Sequence, residues 1–211
     1  MKMKKLSIIL CSLALLNSHN LLAADTFCNA QIKKDYTTSH FISLDDGTVK
    51  DIRSGLVWSV CSLGQTWSIG ANGKDVCSGQ PTSFATWQDA LIAVQTANES
   101  TAFAANDWRL PNIKELDSIV DRSCYSPAIN QSIFPNTYPV NYYSSTPYNG
   151  SIDTDLGGDG NNYDHITSRI IDFNTGLESP HKPESQTRVS YSVRVVRCGE
   201  WPVPDVCKVA R

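Results

Sequence analysis

Hydrophobic positions along this chain fall into two kinds of pattern, and each predicts an element. Over residues 86–97, Trp87, Ala90, Leu91, Val94 and Ala97 recur at helical spacing, which marks a single buried stripe. Thr86 stands where an N-cap belongs, and Asp89 three positions on makes a near capping box. A second helix is predicted over residues 112–121, with Ile113, Leu116, Ile119 and Val120 on one face. Pro111 is placed in its first turn, where a missing N–H goes unnoticed. Residues 189–197 alternate instead: Val189, Tyr191, Val193 and Val195 sit between polar or charged neighbours. That is the pattern of a half-buried antiparallel strand.

Shorter runs at 48–51 and 56–60 predict a hairpin turning through Arg53-Ser54-Gly55, with Gly55 supplying a positive φ. DIRSGL (51–56) is echoed by DFNTGL (172–177). The shared Asp-x-x-Ser/Thr-Gly-Leu reads as one turn chemistry used twice, its Asp and hydroxyl bonding local amides. Residues 62–82, rich in Gly, Ser and Asn, read as a loop. Residues 125–168 are loop-rich too, with a strand over 142–146, and a further strand covers 169–173. Tyr142 and Tyr143 are adjacent, so in a strand they face opposite sides, and at least one is expected to be buried. Two helices packed on short antiparallel sheets with a long loop region make an α+β domain.

The first residues change the setting. Lys2, Lys4 and Lys5 precede an apolar run over 6–16, and small residues at 23–24 suit cleavage. Residues 1–23 therefore read as a signal peptide, too short in its apolar run for a membrane span. Removing them takes away three lysines and no acid, so the formal net charge of −3 becomes −6. An acidic exported chain is a poor match for nucleic acid. Cys11 leaves with the leader, and Cys28, Cys61, Cys77, Cys124, Cys198 and Cys207 remain. An even set in an exported chain reads as disulfides, and the absence of any C-x-x-C pair disfavours zinc. Cys61 and Cys77 flank one polar loop and are expected to pair. The other four are expected to tie down the termini as Cys124–Cys198 and Cys28–Cys207.

Six phrases carry a family resemblance: GTVKDIRSGLVW (47–58), TWQDAL (86–91), DWRLPNIKEL (107–116), SPAINQSIFPNT (126–137), YYSSTPY (142–148) and RVVR (194–197). Together they resemble the C-terminal, Lcl-type domain of collagen-like bacterial adhesins. The WRLP…EL segment is also similar to its counterpart in formylglycine-generating sulfatase activators. The resemblance implies a C-type-lectin-like fold, with paired terminal strands and ligands on the long loop. It covers a domain over 41–198, after the polar, aperiodic stretch 24–40 that reads as a leader held by Cys28, and before a tail over 199–211. It further implies binding of extracellular or cell-surface polymers, carbohydrate or glycosaminoglycan in kind. The other class is a structural, protein-interacting subunit of an envelope or pilus assembly. No collagen-like stalk is present, so multivalency would come from self-association into a homo-oligomer.

Three sets of residues offer chemistry. Asp153, Asp155, Asp159, Asn161 and Asp164 supply oxygens to a hard cation such as calcium. Gly157 and the short Asp164 fall where an EF-hand wants ligands, and the tripeptides of sugar-binding lectins are missing, so a solvated acidic turn is the simpler expectation. Tyrosines cluster in the loop-rich half, with Tyr148 and Tyr163 expected at the surface and His165 beside them. A sulfated polymer would need a positive face, for which Arg169, His181, Lys182, Arg188, Arg194 and Arg197 are the candidates. Arg109 is expected to be structural, holding carbonyls near the second helix. Catalytic motifs are absent: there is no HExxH and no G-x-S-x-G, and the S-x-x-K at 179–182 is broken by Pro180 and flanked by Pro183. A noncatalytic module is the expectation.

Overall fold

Local chemistry places the two helices. The computed structural model describes residues 27–29, 31–32, 38–100, 105–148, 167–180 and 191–199. Helix α1 (Trp87–Glu99) starts at Thr86, whose hydroxyl accepts from the Asp89 amide at 3.0 Å. Ala90, Val94 and Ala97 are buried along its inner stripe, whereas Leu91 turns outward to 40% exposure. Helix α2 is a single tight piece, Ile113–Asp117, much shorter than the apolar spacing suggests. Its N-cap is Asn112, so Pro111 lies just before the helix and not in its first turn. Asn112 and Glu115 complete a capping box. Ile119 and Val120 are still buried, but from a turn that leads to a bridge between Val120 and Ile129.

Twelve strands form four small sheets among the described residues. Sheet order in the first is β12-β4-β3-β2, from β2 (Phe41–Ser43), β3 (Thr48–Asp51), β4 (Leu56–Ser59) and β12 (Val196–Cys198), all antiparallel. The second runs β10-β9-β8-β11, from β8 (Asn141–Tyr148), β9 (Thr167–Asp172), β10 (Leu177–Pro180) and β11 (Tyr191–Ser192). Two hairpin-sized sheets complete the set: β5 (Thr66–Ile69) with β6 (Asp75–Ser78), and β1 (Phe27–Cys28) with β7 (Cys124–Tyr125). The β5–β6 hairpin occupies part of the segment read as loop. Its polar, largely exposed residues give no core-facing alternation to detect.

The second sheet lies between two cores. Tyr142, Ile171 and Phe173 join Leu116, Ile119 and Trp58 on one side. Tyr143, Ile170 and Tyr191 join Ala90, Val94 and Trp108 on the other. Both adjacent tyrosines are therefore fully buried, because this sheet has no solvent face at their positions.

Residues 189–197 do not make one strand. Tyr191–Ser192 pairs in parallel with β8, and Val196–Cys198 pairs antiparallel with β4, so the chain crosses from one sheet to the other between them. Cys28 is joined to Cys124 and Cys61 to Cys77. The first bond replaces both the Cys124–Cys198 and the Cys28–Cys207 expectations. It arises because Cys28 and Cys124 face each other directly in the β1–β7 ladder. Cys198 is in a disulfide whose partner lies outside the described residues.

The echoed turn is the same structure twice. Gly55 and Gly176 have φ of 71° and 78°, and each amide donates to the carbonyl of its Asp, Asp51 or Asp172, at 2.7 Å. In both turns the Asp carboxylate accepts from an amide two residues on and from the Ser54 or Thr175 hydroxyl. Their apolar anchors are exchanged. Leu56 and Phe173 are buried, while Ile52 and Leu177 are 54% and 66% exposed.

Candidate functional site

The site nearest the sequence expectation lies where β8 ends and β9 begins. Tyr148 pairs with Thr167 in the last rung of that ladder, and the Thr167 hydroxyl donates to the Tyr148 carbonyl at 3.3 Å. The Arg169 guanidinium carbon lies 5.5 Å from the Tyr148 ring centroid. Arg169 is also ion-paired with Glu178 on β10, so its charge is balanced locally. Both Tyr148 and Arg169 are half-buried. They flank residues 149–166, which lie outside the described residues together with Asp153, Asp155, Asp159, Asn161, Tyr163, Asp164 and His165. Lys182, Arg188 and Cys207 fall outside them as well, as does His181.

The phrases that drew attention in the sequence turn out to be cross-links of one another. The β8–β9 register shifts between Tyr143 and Pro147, lifting Ser144, Ser145 and Thr146 out of the ladder. The Ser144 carbonyl accepts from the Trp87 indole N–H at 2.9 Å, fixing the start of α1. Ser145 N–H donates to the Pro111 carbonyl at 2.7 Å, and the Thr146 hydroxyl accepts from Ile113 N–H at 2.9 Å, fixing the start of α2. Arg109 donates to both Glu115 oxygens at 2.7 Å and to the Leu110 carbonyl at 3.2 Å. The same Glu115 accepts from the Asn112 amide, so one buried carboxylate holds both the arginine and the helix start. Arg109 and Val196 exchange backbone hydrogen bonds at 2.9 and 3.0 Å.

Arg194 corrects the positive-face expectation. It is 0% exposed, at the point where the chain crosses between sheets. Its guanidinium donates to the carbonyls of Ser59 (2.9 Å) and Val60, and to the hydroxyls of Thr137 (2.7 Å) and Ser62 (3.3 Å). The Phe134 ring covers it at 4.9 Å, and the Ser62 hydroxyl contacts that of Tyr142 at 2.8 Å. Burial lowers the Arg194 pKa from its usual value, with Tyr142 opposing that shift. Burial likewise raises that of Tyr142, with Arg194 opposing. Arg194 is a tie between RVVR, residues 59–62 just after GLVW, and SPAINQSIFPNT, buried away from any external anion.

The other described arginines are engaged too. Arg53 lies 3.8 Å from Asp51 and donates to the His40 imidazole at 2.8 Å. Arg122 pairs with Asp117 at 2.5 Å, and Arg197 lies over the Trp108 ring at 5.4 Å. Among the described residues no three His, Cys, Asp or Glu side chains gather so as to hold a metal ion.

One feature escaped the sequence reading. Phe27 and Tyr125 stack at 5.2 Å with their planes 18° apart, and each stays more than half exposed. The signal was present as Phe27-Cys28 and Cys124-Tyr125, aromatic and cysteine in mirrored order. Antiparallel pairing of those dipeptides puts the disulfide on one side and both rings on the other.

Residues 47–197 match the family model described as the Lcl C-terminal domain. No curated protein and no solved structure matches the chain.

Proposed function

The chain belongs to the Lcl C-terminal domain family, and on that premise we propose that it is an exported, noncatalytic binding module of adhesin type. Its ligands are carbohydrate or related polymers outside the cell or on a cell surface. The family match over residues 47–197 is the observation that carries this reading. Disulfides Cys28–Cys124 and Cys61–Cys77 agree with an extracellular setting. No helix among the described residues is long and apolar enough to cross a membrane.

The ligand face of this reading takes in Tyr148 and Arg169, with Tyr163, His165, Lys182 and Arg188 nearby in sequence. A C-type-lectin-like fold for the domain belongs to the same proposal, and so does self-association for multivalency. Screening the purified protein on a glycan array, beside pull-down from envelope extracts, tests it. Saturable glycan binding supports the module. Silence across the array with specific capture of envelope proteins replaces it with a structural subunit of an envelope assembly.

A further inference from the structure

The exposed aromatic pair and the state of the arginines point to the same ligand class. We infer that Phe27 and Tyr125 form a stacking platform for the pyranose rings of a neutral glycan. The inference rests on the binding-module reading and narrows it.

Geometry comes first. β1 and β7 are two residues each, with Phe27 opposite Tyr125 and Cys28 opposite Cys124. Cys124 is buried, so the disulfide anchors the ladder to the body while the rings project from its other side. Their mutual stacking uses one face of each ring and fixes the pair, yet Phe27 is 53% and Tyr125 57% exposed. Such rigid, half-wetted rings lose little entropy when a flat apolar surface lands on them. A pyranose ring offers one in its axial C–H face, with hydroxyls at its rim. Hydroxyl partners are close by. Ser126 N–H donates to the Asn174 carbonyl at 2.9 Å, so the exposed β9–β10 turn with Asn174 sits beside Tyr125. Asn29, also exposed, follows Cys28, and its amide donates to the Ser123 carbonyl at 2.8 Å.

The charge beside the platform favours a neutral over a sulfated glycan. A sulfated polymer is held by unpaired cations, and its affinity falls steeply with salt. Arg122, three residues before Tyr125, is paired with Asp117. Arg53, Arg109 and Arg169 have carboxylate partners, Arg194 is sealed in the core, and Arg197 lies against Trp108. Next to the rings in sequence, the described residues thus offer amides and no unpaired arginine, and the described lysines Lys50, Lys74 and Lys114 belong to β3, the β5–β6 turn and α2.

The test uses the full mature chain on paired arrays of neutral glycans and heparin, followed by calorimetric titration of the best neutral hit. Expected are neutral hits whose affinity changes less than twofold between 50 and 500 mM NaCl. Tyr125→Ala should weaken them about tenfold at unchanged melting temperature, and Tyr125→Trp should restore them. Phe27→Ala should act in the same direction. Neutral binding that survives Tyr125→Ala, or heparin binding that collapses with salt, overturns the platform and leaves the binding module standing. If Tyr148→Ala removes the binding and Tyr125→Ala does not, the ligand face lies at β8–β9 instead. Silence on both arrays overturns the platform and the module reading together.

Discussion

Replacing Arg194 with methionine tests whether the family's RVVR phrase is a structural tie. Methionine keeps an unbranched apolar stem of similar reach against Phe134 but donates nothing. The Ser59 and Val60 carbonyls then lose a buried donor, and the Thr137 and Ser62 hydroxyls lose one each. An orphaned buried acceptor costs about 1–3 kcal/mol, so the two carbonyls alone cost roughly 2–6 kcal/mol. Against this, the variant no longer desolvates a guanidinium, which returns several kcal/mol by the general accounting for buried ions. The return is limited here, because the two terminal guanidinium nitrogens reach four acceptors and an aromatic face covers the cation, and only Nε is left without a partner. A net loss of about 3 kcal/mol follows, or roughly 6–12 °C in melting temperature for a chain of this size. Arg194→Lys, which can reach some of the four acceptors but not all, should fall about midway. Urea and thermal denaturation under non-reducing conditions give the numbers. Arg194→Met at or above wild-type stability would refute the reasoning, since the acceptors would then be satisfied without the arginine.

The buried tyrosines should make the fold sensitive to alkali. Burial raises the pKa of Tyr142, and burial with the neighbouring Tyr191 and Asp89 raises that of Tyr143, above the ordinary 10.0. The unfolded chain therefore sheds these protons first, so stability is intact below pH about 10 and declines as pH rises beyond it. Tyr142→Phe should move the alkaline unfolding midpoint upward, and an unmoved midpoint contradicts this. Disulfide mapping should join Cys198 to Cys207, the one cysteine of the predicted mature chain left after Cys28–Cys124 and Cys61–Cys77 are assigned. A free Cys207 thiol in the folded protein rejects it. A weak calcium site of extracellular type, ~10⁻⁴ to 10⁻³ M, would add about 1 kcal/mol of stability in millimolar calcium. Asp155→Ala with Asp159→Ala should abolish that rise, and a melting curve indifferent to calcium leaves a solvated turn.

The sequence determined whatever depends on a few consecutive residues. Thr86 as N-cap, the Asp51–Gly55 and Asp172–Gly176 turns and the buried face of α2 are local events: a side chain meets a backbone group two to four residues away, whatever lies beyond. The Cys61–Cys77 bond is nearly local too, because the β5–β6 hairpin returns one cysteine to the other. Tertiary structure decided everything in which the same local pattern has two uses. One turn buries the residue after its glycine, Leu56, and the other buries the residue after its aspartate, Phe173, so each turn sends a different flank into the same core. Alternation over 189–197 promised an outward Arg194, but a chain that changes sheets midway has no outward side there, and the arginine becomes the tie. The candidate ligand face was legible only as tyrosines and charges in sequence. Which arginines are already spent on carboxylates, and that Phe27 meets Tyr125 across ninety-six residues of cysteine separation, are facts of distance in space, and no one-dimensional pattern encodes them.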